Sequence, residues 1–211
     1  MATPDTAPVT ISDQRARLTR ALVHPAERST DFDLTPSVAP PPGGRVLRPA
    51  GVLVPILAGH DGPRLILTKR SSRLTHHPGQ IAFPGGKQEP EDADATDAAL
   101  REAEEEIGLP RTRVEILGHL PPHETVTGFE MSPAVGWIDG AFDPVPEAGE
   151  VDEVFTVPLD HVCDPKRFSV QYRRWRGQRR HYYTVPFGPY YIWGATARVL
   201  RGLADRMAAC D

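Results

Sequence analysis

The sequence predicts a mixed β-sheet with helices on both sides, an α/β or α+β arrangement. Three observations carry that expectation. Short runs rich in Val, Ile and Leu, bounded by Gly, Pro and Asp, recur through the middle of the chain. Two segments, one ending at Gly108 and one near the C-terminus, carry apolar residues at helical spacing. No internal repeat is evident.

Taken in order, residues 1–10 are expected to lack order, and Ser12 to about Ala26 (SDQRARLTRALVHPA) to form a short helix with Leu18, Ala21 and Leu22 as its apolar stripe. Residues 35–44, TPSVAPPPGG, have no periodicity and read as a Pro/Gly linker. The boundary is placed there, with residues 1–44 as an arm and linker and 45–211 as the domain. Whether the arm packs on the domain or on a second subunit is left open.

AGVLVPILAG (50–59) and RLILTKR (64–70) are predicted strands, joined by a turn at His60-Asp61-Gly62. IAFPGG ends a third. VEILGHL (114–120) and SPAVGWI (132–138) read as strands, and EVDEVFTVPLDHV (150–162) as a strand ending in a turn or short helix. RRHYYTVPF and PYYIW are expected to pair as a late hairpin. GATARVLRGLADRMAA is an amphipathic C-terminal helix.

With 211 residues, 39% hydrophobic and 25% charged, the composition is that of a soluble globular protein with room for a sizeable core. A net charge of −4 gives no global pull toward nucleic acid or an anionic membrane. Cys163 and Cys210 are far apart, without metal-binding spacing, which fits a reducing cytoplasm. No apolar run approaches the roughly 20 residues of a membrane span, and the first residues lack the apolar core of a secretory signal. A cytoplasmic monomer or homodimer is expected.

The rest of the chain is organised around residues 79–109, GQIAFPGGKQEPEDADATDAALREAEEEIGL. Its second half is predicted to be a helix, with Pro90 near the start and Gly108 then Pro110 as the stop. Leu100, Ala103 and Ile107 would face a core. Glu102, Glu105 and Glu106 stand at i, i+3 and i+4, so the three carboxylates share a face and repel by a few tenths of a kcal/mol per pair. A divalent cation would offset that, and carboxylate oxygens suit Mg²⁺ or Mn²⁺. On its own such a run reads first as a solvated acidic face. Its neighbours change the reading.

Gly86, Arg101, Glu102, Glu105, Glu106 and Gly108, with Leu109 as the last apolar position, resemble the Nudix box, G-x5-E-x7-R-E-U-x-E-E-x-G-U. Asp92 stands at the first acidic position, and eight residues instead of seven separate it from Arg101. Ala103 is small for the first U position. The resemblance implies an α/β/α sandwich and metal-dependent hydrolysis of a nucleoside diphosphate linked to another group. It implies metal binding by Glu102, Glu105, Glu106 and Gly86, with Arg101 orienting the carboxylates. Asp92 is implied to be structural.

Residues 67–86, LTKRSSRLTHHPGQIAFPGG, resemble the motif that precedes the box in the coenzyme A pyrophosphatase branch. The matching residues are Leu67, Thr68, Arg70, Ser71, Gly79, Phe83, Pro84, Gly85 and Gly86, whereas Thr75 replaces the motif's second Arg. A coenzyme A site needs fixed cations or clustered N–H donors, which Arg70 and Arg73, with Lys69, His76 and His77, offer. Gly85 and Gly86 are expected to join them through backbone N–H groups. The implied partner is a coenzyme A-like small nucleotide, cleaved to adenosine 3′,5′-bisphosphate and 4′-phosphopantetheine, and nucleic acid is not expected.

The general base is left open among Glu102 and the later carboxylates Glu124, Glu130, Glu150 and Glu153. Glu150 and Glu153 belong to an EVxEVxxVPL-like element that often supplies a metal- or water-contacting Glu in Nudix enzymes, and Glu153 with Glu102, Glu105 and Arg101 makes up the expected catalytic set. The run Lys166–His181 holds seven Lys or Arg with interleaved aromatics. Three readings stand for it: single-stranded RNA binding, a grip on a nucleotide 3′-phosphate or adenine, and a plain exposed basic hairpin.

Overall fold

The computed structural model describes residues 10–40, 43, 45–175 and 177–210. Most of the N-terminal stretch expected to lack order (residues 1–9), three linker positions (41, 42 and 44) and Arg176 lie outside the described residues.

Helix α1 (Ile11–Val23) opens with a capping box: Asp13 N donates to Thr10 Oγ1 at 3.1 Å and Thr10 N to Asp13 Oδ2 at 3.0 Å. It stops at Val23, short of the expected Ala26, because Pro25 disfavours a helical His24, whose ψ is 131°. Leu18, Ala21 and Leu22 are buried as expected. They join the same core as the C-terminal helix, so the arm's helix packs on this chain's own domain.

The strands are β1 (Ser29–Thr30), β2 (Arg48–Gly59), β3 (Gly62–Arg70), β4 (Ile81–Ala82), β5 (Gly85–Lys87), β6 (Glu115–His119), β7 (His123–Glu124), β8 (Phe129–Ile138) and β9 (Val151–Pro158). They form one mixed sheet with a main path of β1-β7-β8-β2-β3-β4. β2 runs parallel to β8 and antiparallel to β3 and β5. Beyond β9 come α3 (Leu159–Val162), a separate hairpin of β10 (Ser169–Trp175) and β11 (Gln178–Thr184), and α4 (Gly194–Ala209).

Alternation along the strands divides the core in two. Leu53, Ile66, Ala134 and Ile138 face helix α2 (Ala95–Ile107), meeting Ala99, Ala103 and Ile107. Val54, Leu67, Trp137 and Phe155 point the other way, toward α1, α3 and α4. The result is the α/β/α sandwich. Gly51 lets α2 lie close to β2, since a Cβ there would fall 1.8 Å from the Ala95 carbonyl oxygen.

Two local expectations need correction. Helix α2 begins at Ala95, not near Pro90: Asp94 is the N-cap and accepts from the backbone N–H groups of Thr96 and Asp97, both at 2.8 Å. The late hairpin also lies one segment earlier than expected, pairing residues 169–175 with 178–184. Gly177, at φ 79°, makes that tight turn. Pro186 and Pro189 lack the donors to extend a ladder, so the PYYIW side keeps only single bridges, Thr184–Trp193 and Phe187–Tyr190. Among the described residues no helix is long and apolar enough to cross a membrane.

Candidate active site

Arg101, on the exposed shoulder of α2, ties the acidic groups together. Its Nε and Nη2 donate to the two Asp92 oxygens at 2.9 and 3.0 Å, and Nη1 donates to Glu102 at 3.0 Å and Glu105 at 2.9 Å. Nη2 also reaches the Lys87 carbonyl at 3.2 Å. Asp92 in turn accepts from Glu89 N at 2.8 Å. The Arg101 hydrogen bonds hold the Asp92 carboxyl below the ordinary carboxylate range. The shorter Asp at this position and the extra residue before Arg101 thus still close a bidentate pair.

Glu106 points inward beneath Gly85 and Gly86, at the start of β5. Its side chain is 4% exposed and accepts from Gly85 N at 3.2 Å, and the Arg70 guanidinium lies 4.0 Å away. Burial pushes the Glu106 carboxyl up to about 8, and the charges of Glu102 and Glu150 add to the rise. Burial likewise raises Glu102, despite Arg101. A Cβ on Gly86 would sit 2.4 Å from a Glu102 oxygen, so a side chain there would push that carboxylate from its place. Glu106, short of positive charge, and its neighbour Glu102 offer hard oxygen donors that fit a divalent cation. Glu102 and the more exposed Glu105 share the Nη1 of Arg101. Among the described residues no three His, Cys, Asp or Glu side chains already converge as a metal-holding group.

The other expected residues divide. Arg70 reaches the box helix through Glu106. Arg73 is drawn to the Ala148 carbonyl, clipping the loop that carries Glu150. That loop is also tied to α2 by Val145 N to Ile107 O and Glu147 N to Glu106 O, both at 2.9 Å. Glu153 is not brought to the carboxylates. It pairs across the sheet with Lys69, on the face of Leu67 and Phe155 opposite α2, and accepts from the Tyr190 hydroxyl. Glu124 and Glu130 are ion-paired with Arg45 and Arg28, each at 2.6 Å.

Of the later carboxylates expected from the sequence, Glu150 is the one whose charge reaches Glu102 and Glu106. Alternation sets Glu150 and Glu153, three apart, on opposite faces of a regular strand but does not say which face is which, and a register shift between Lys69 and Arg70 alters the pairing of β9 there. A cleft of about 440 Å³ lies elsewhere, lined by residues 24–29 after α1 and by α4. None of the box carboxylates lines it.

Comparison with known proteins places the chain among related sequences and folds. A family description, the NUDIX domain, matches residues 47–178. A protein of Pectobacterium atrosepticum named "Uncharacterized Nudix hydrolase NudL" is 40% identical over 157 residues, 74% of this chain and 81% of its own. The protein of the same name from Escherichia coli K12 is 41% identical over the same coverage. Among solved structures, a MutT protein from Methanosarcina mazei Go1 superposes with a TM-score of 0.50 at 17% identity, covering 78% of this chain and 95% of its own. A MutT/nudix family protein from Enterococcus faecalis gives 0.50 at 14% identity, covering 99% and 76%. These two likenesses concern the fold.

Proposed function

The chain belongs to the Nudix hydrolase family, and from that premise we propose that it hydrolyses the diphosphate of coenzyme A or its acyl thioesters, with Mg²⁺ or Mn²⁺ as cofactor. The observation that carries this reading is the approach of Arg70 to Glu106 at 4.0 Å. It joins the coenzyme A-like segment 67–86 to the box helix at a single point. The relatives' names support the hydrolase chemistry, and the segment 67–86 supports the substrate.

Glu102 and Glu106 would hold the cation, with Glu105 joining when it leaves Arg101. The bound cation supplies charge neutralisation at the diphosphate and a more acidic water. Arg101 keeps Glu102 oriented through its anchor on Asp92. Gly85 and Gly86 let backbone N–H groups approach a phosphate closely. Arg70 pairs with phosphate oxygens, and Arg73 positions the loop of Glu150. Either Glu102 or Glu150 takes the proton of the attacking water. One P–O bond of the bridge breaks and the water oxygen stays on a product phosphate. The products are adenosine 3′,5′-bisphosphate and 4′-phosphopantetheine, or its acyl form.

A competition assay tests the substrate. Coenzyme A, ADP-ribose, NADH and capped RNA are mixed with the protein and Mg²⁺ or Mn²⁺, and the products are resolved by mass. Coenzyme A should be consumed first, and chelator should stop the reaction. Preference for another compound would keep the chemistry and overturn the substrate, with Thr75 as the first position to examine. No turnover would leave a nucleotide-binding module.

A further inference from the structure

The hairpin of β10 and β11 stands outside the main sheet and takes no part in the site described so far. Residues 166–181 hold seven Lys or Arg and no Asp or Glu, in a chain of net charge −4. Its register sets Arg173 opposite Arg180 and Arg174 opposite Arg179. Like charges directly across a ribbon destabilise it, and a two-stranded ribbon is marginal to begin with. Arg180 has the Asp31 carboxylate 3.7 Å away. Arg173 has no carboxylate within ion-pair distance among the described residues and instead lies over the Trp193 ring, 4.6 Å from its centroid.

That stack belongs to a wall. Tyr182 meets Trp193 edge-on at 5.1 Å, and its hydroxyl is 3.4 Å from that of Tyr191, which is 45% exposed. A guanidinium lying over an indole keeps N–H groups free for a phosphate, and an accessible aromatic ring such as Tyr191 can stack on a purine. The wall also borders the substrate segment. A Cβ on Gly194, next to Trp193, would lie 3.8 Å from the Gln80 amide nitrogen, and Thr196 Oγ1 donates to Ile81 O at 3.1 Å. Gln80 O accepts from Arg70 N at 3.0 Å. Gln80 and Gly85 are five residues apart, so the wall's border and the glycine loop are separated by no more than about 18 Å of chain.

We infer that Arg173, with Tyr182, Tyr191 and Trp193, forms the subsite for the 3′-phosphorylated adenosine end of the substrate. The inference rests on the coenzyme A reading above and adds a specificity determinant to it. Arg173 pairs with the 3′-phosphate, the aromatic wall takes the purine, and the diphosphate passes round the ends of β3 and β4, at Arg70 and Gln80, to Glu106 on the other face of the sheet.

The test compares kcat/KM for coenzyme A and for 3′-dephospho-coenzyme A in the full chain. The wild type should prefer coenzyme A by roughly 10- to 100-fold, the value of a charge-assisted pair. Arg173→Ala should bring the ratio close to one by losing turnover of coenzyme A, and Arg173→Lys should restore part of it. Arg174→Ala, on the opposite face of the ribbon, should keep the wild-type ratio. An unchanged ratio in Arg173→Ala, equal losses on both substrates, or a wild type indifferent to the 3′-phosphate would each overturn the subsite alone. A wild type that turns over neither compound would overturn the substrate reading and the subsite with it.

Discussion

A carboxylate that is 4% exposed, with one backbone N–H and an arginine 4.0 Å away, is short of positive charge. Glu106→Gln removes the charge and keeps the shape. Turnover should fall by roughly 100-fold or more, while thermal stability in chelator should hold or rise, because no charge is left to bury. Full turnover in this variant would remove Glu106 from the site. Arg101 predicts the opposite pattern. Arg101→Ala leaves Asp92 buried without its partner and should lower stability in urea by on the order of 3 kcal/mol. Lys cannot replace the fork that spans both Asp92 oxygens. Acid should act through the same pair. The Asp92 carboxyl is held below its ordinary range in the fold, so its contribution is complete above about pH 4 and is lost as pH falls through the folded value. Asp92→Asn should flatten that acid limb in denaturation curves recorded from pH 3 to 6. An unchanged limb would show that other carboxylates set it.

At the scale of elements, the capped helices were legible because their signals are local. Gly108 stops α2 at φ 69°, as its place before Pro110 predicts. The start of α2 was misplaced because Pro90 and Asp94 are both start signals, and only the fold shows Asp92 drawn away into the Arg101 pair. The late hairpin failed differently. Two β-rich neighbours were available to residues 178–184, and the Gly177 turn, not composition, chose between them. No sequence pattern revealed why Gly51 is needed, since its constraint comes from a helix 44 positions later in the chain. Gly51→Ala should therefore destabilise by about 1–3 kcal/mol through overpacking and lower activity by shifting α2. Leu18→Ala, in the arm's helix, should cost about 2–5 kcal/mol, as for a core leucine. A near-neutral result would mean that the helix adds little to the common core.

Across the whole molecule the sheet is a divider. The box carboxylates lie on the α2 side, and Glu153 lies with Tyr190 on the other. Spacing along the chain located the glycine loop, Arg101 and the three glutamates, because all depend on one helix and the turn before it. It did not locate Glu153, whose face is set by strand register, nor the tie between Arg73 and Ala148, which joins two distant loops. The basic hairpin was visible as composition, but its position against Trp193, whose neighbour Gly194 borders Gln80, required the fold. The hydrolase reading depends on the two sides of the box meeting one diphosphate. The most direct measurement is mass analysis of products from coenzyme A incubated with the protein and Mg²⁺ in ¹⁸O-labelled water. The expected result is equal adenosine 3′,5′-bisphosphate and 4′-phosphopantetheine, a single ¹⁸O in one product phosphate, and neither product with chelator. Intact coenzyme A in the presence of folded protein and saturating metal would contradict it.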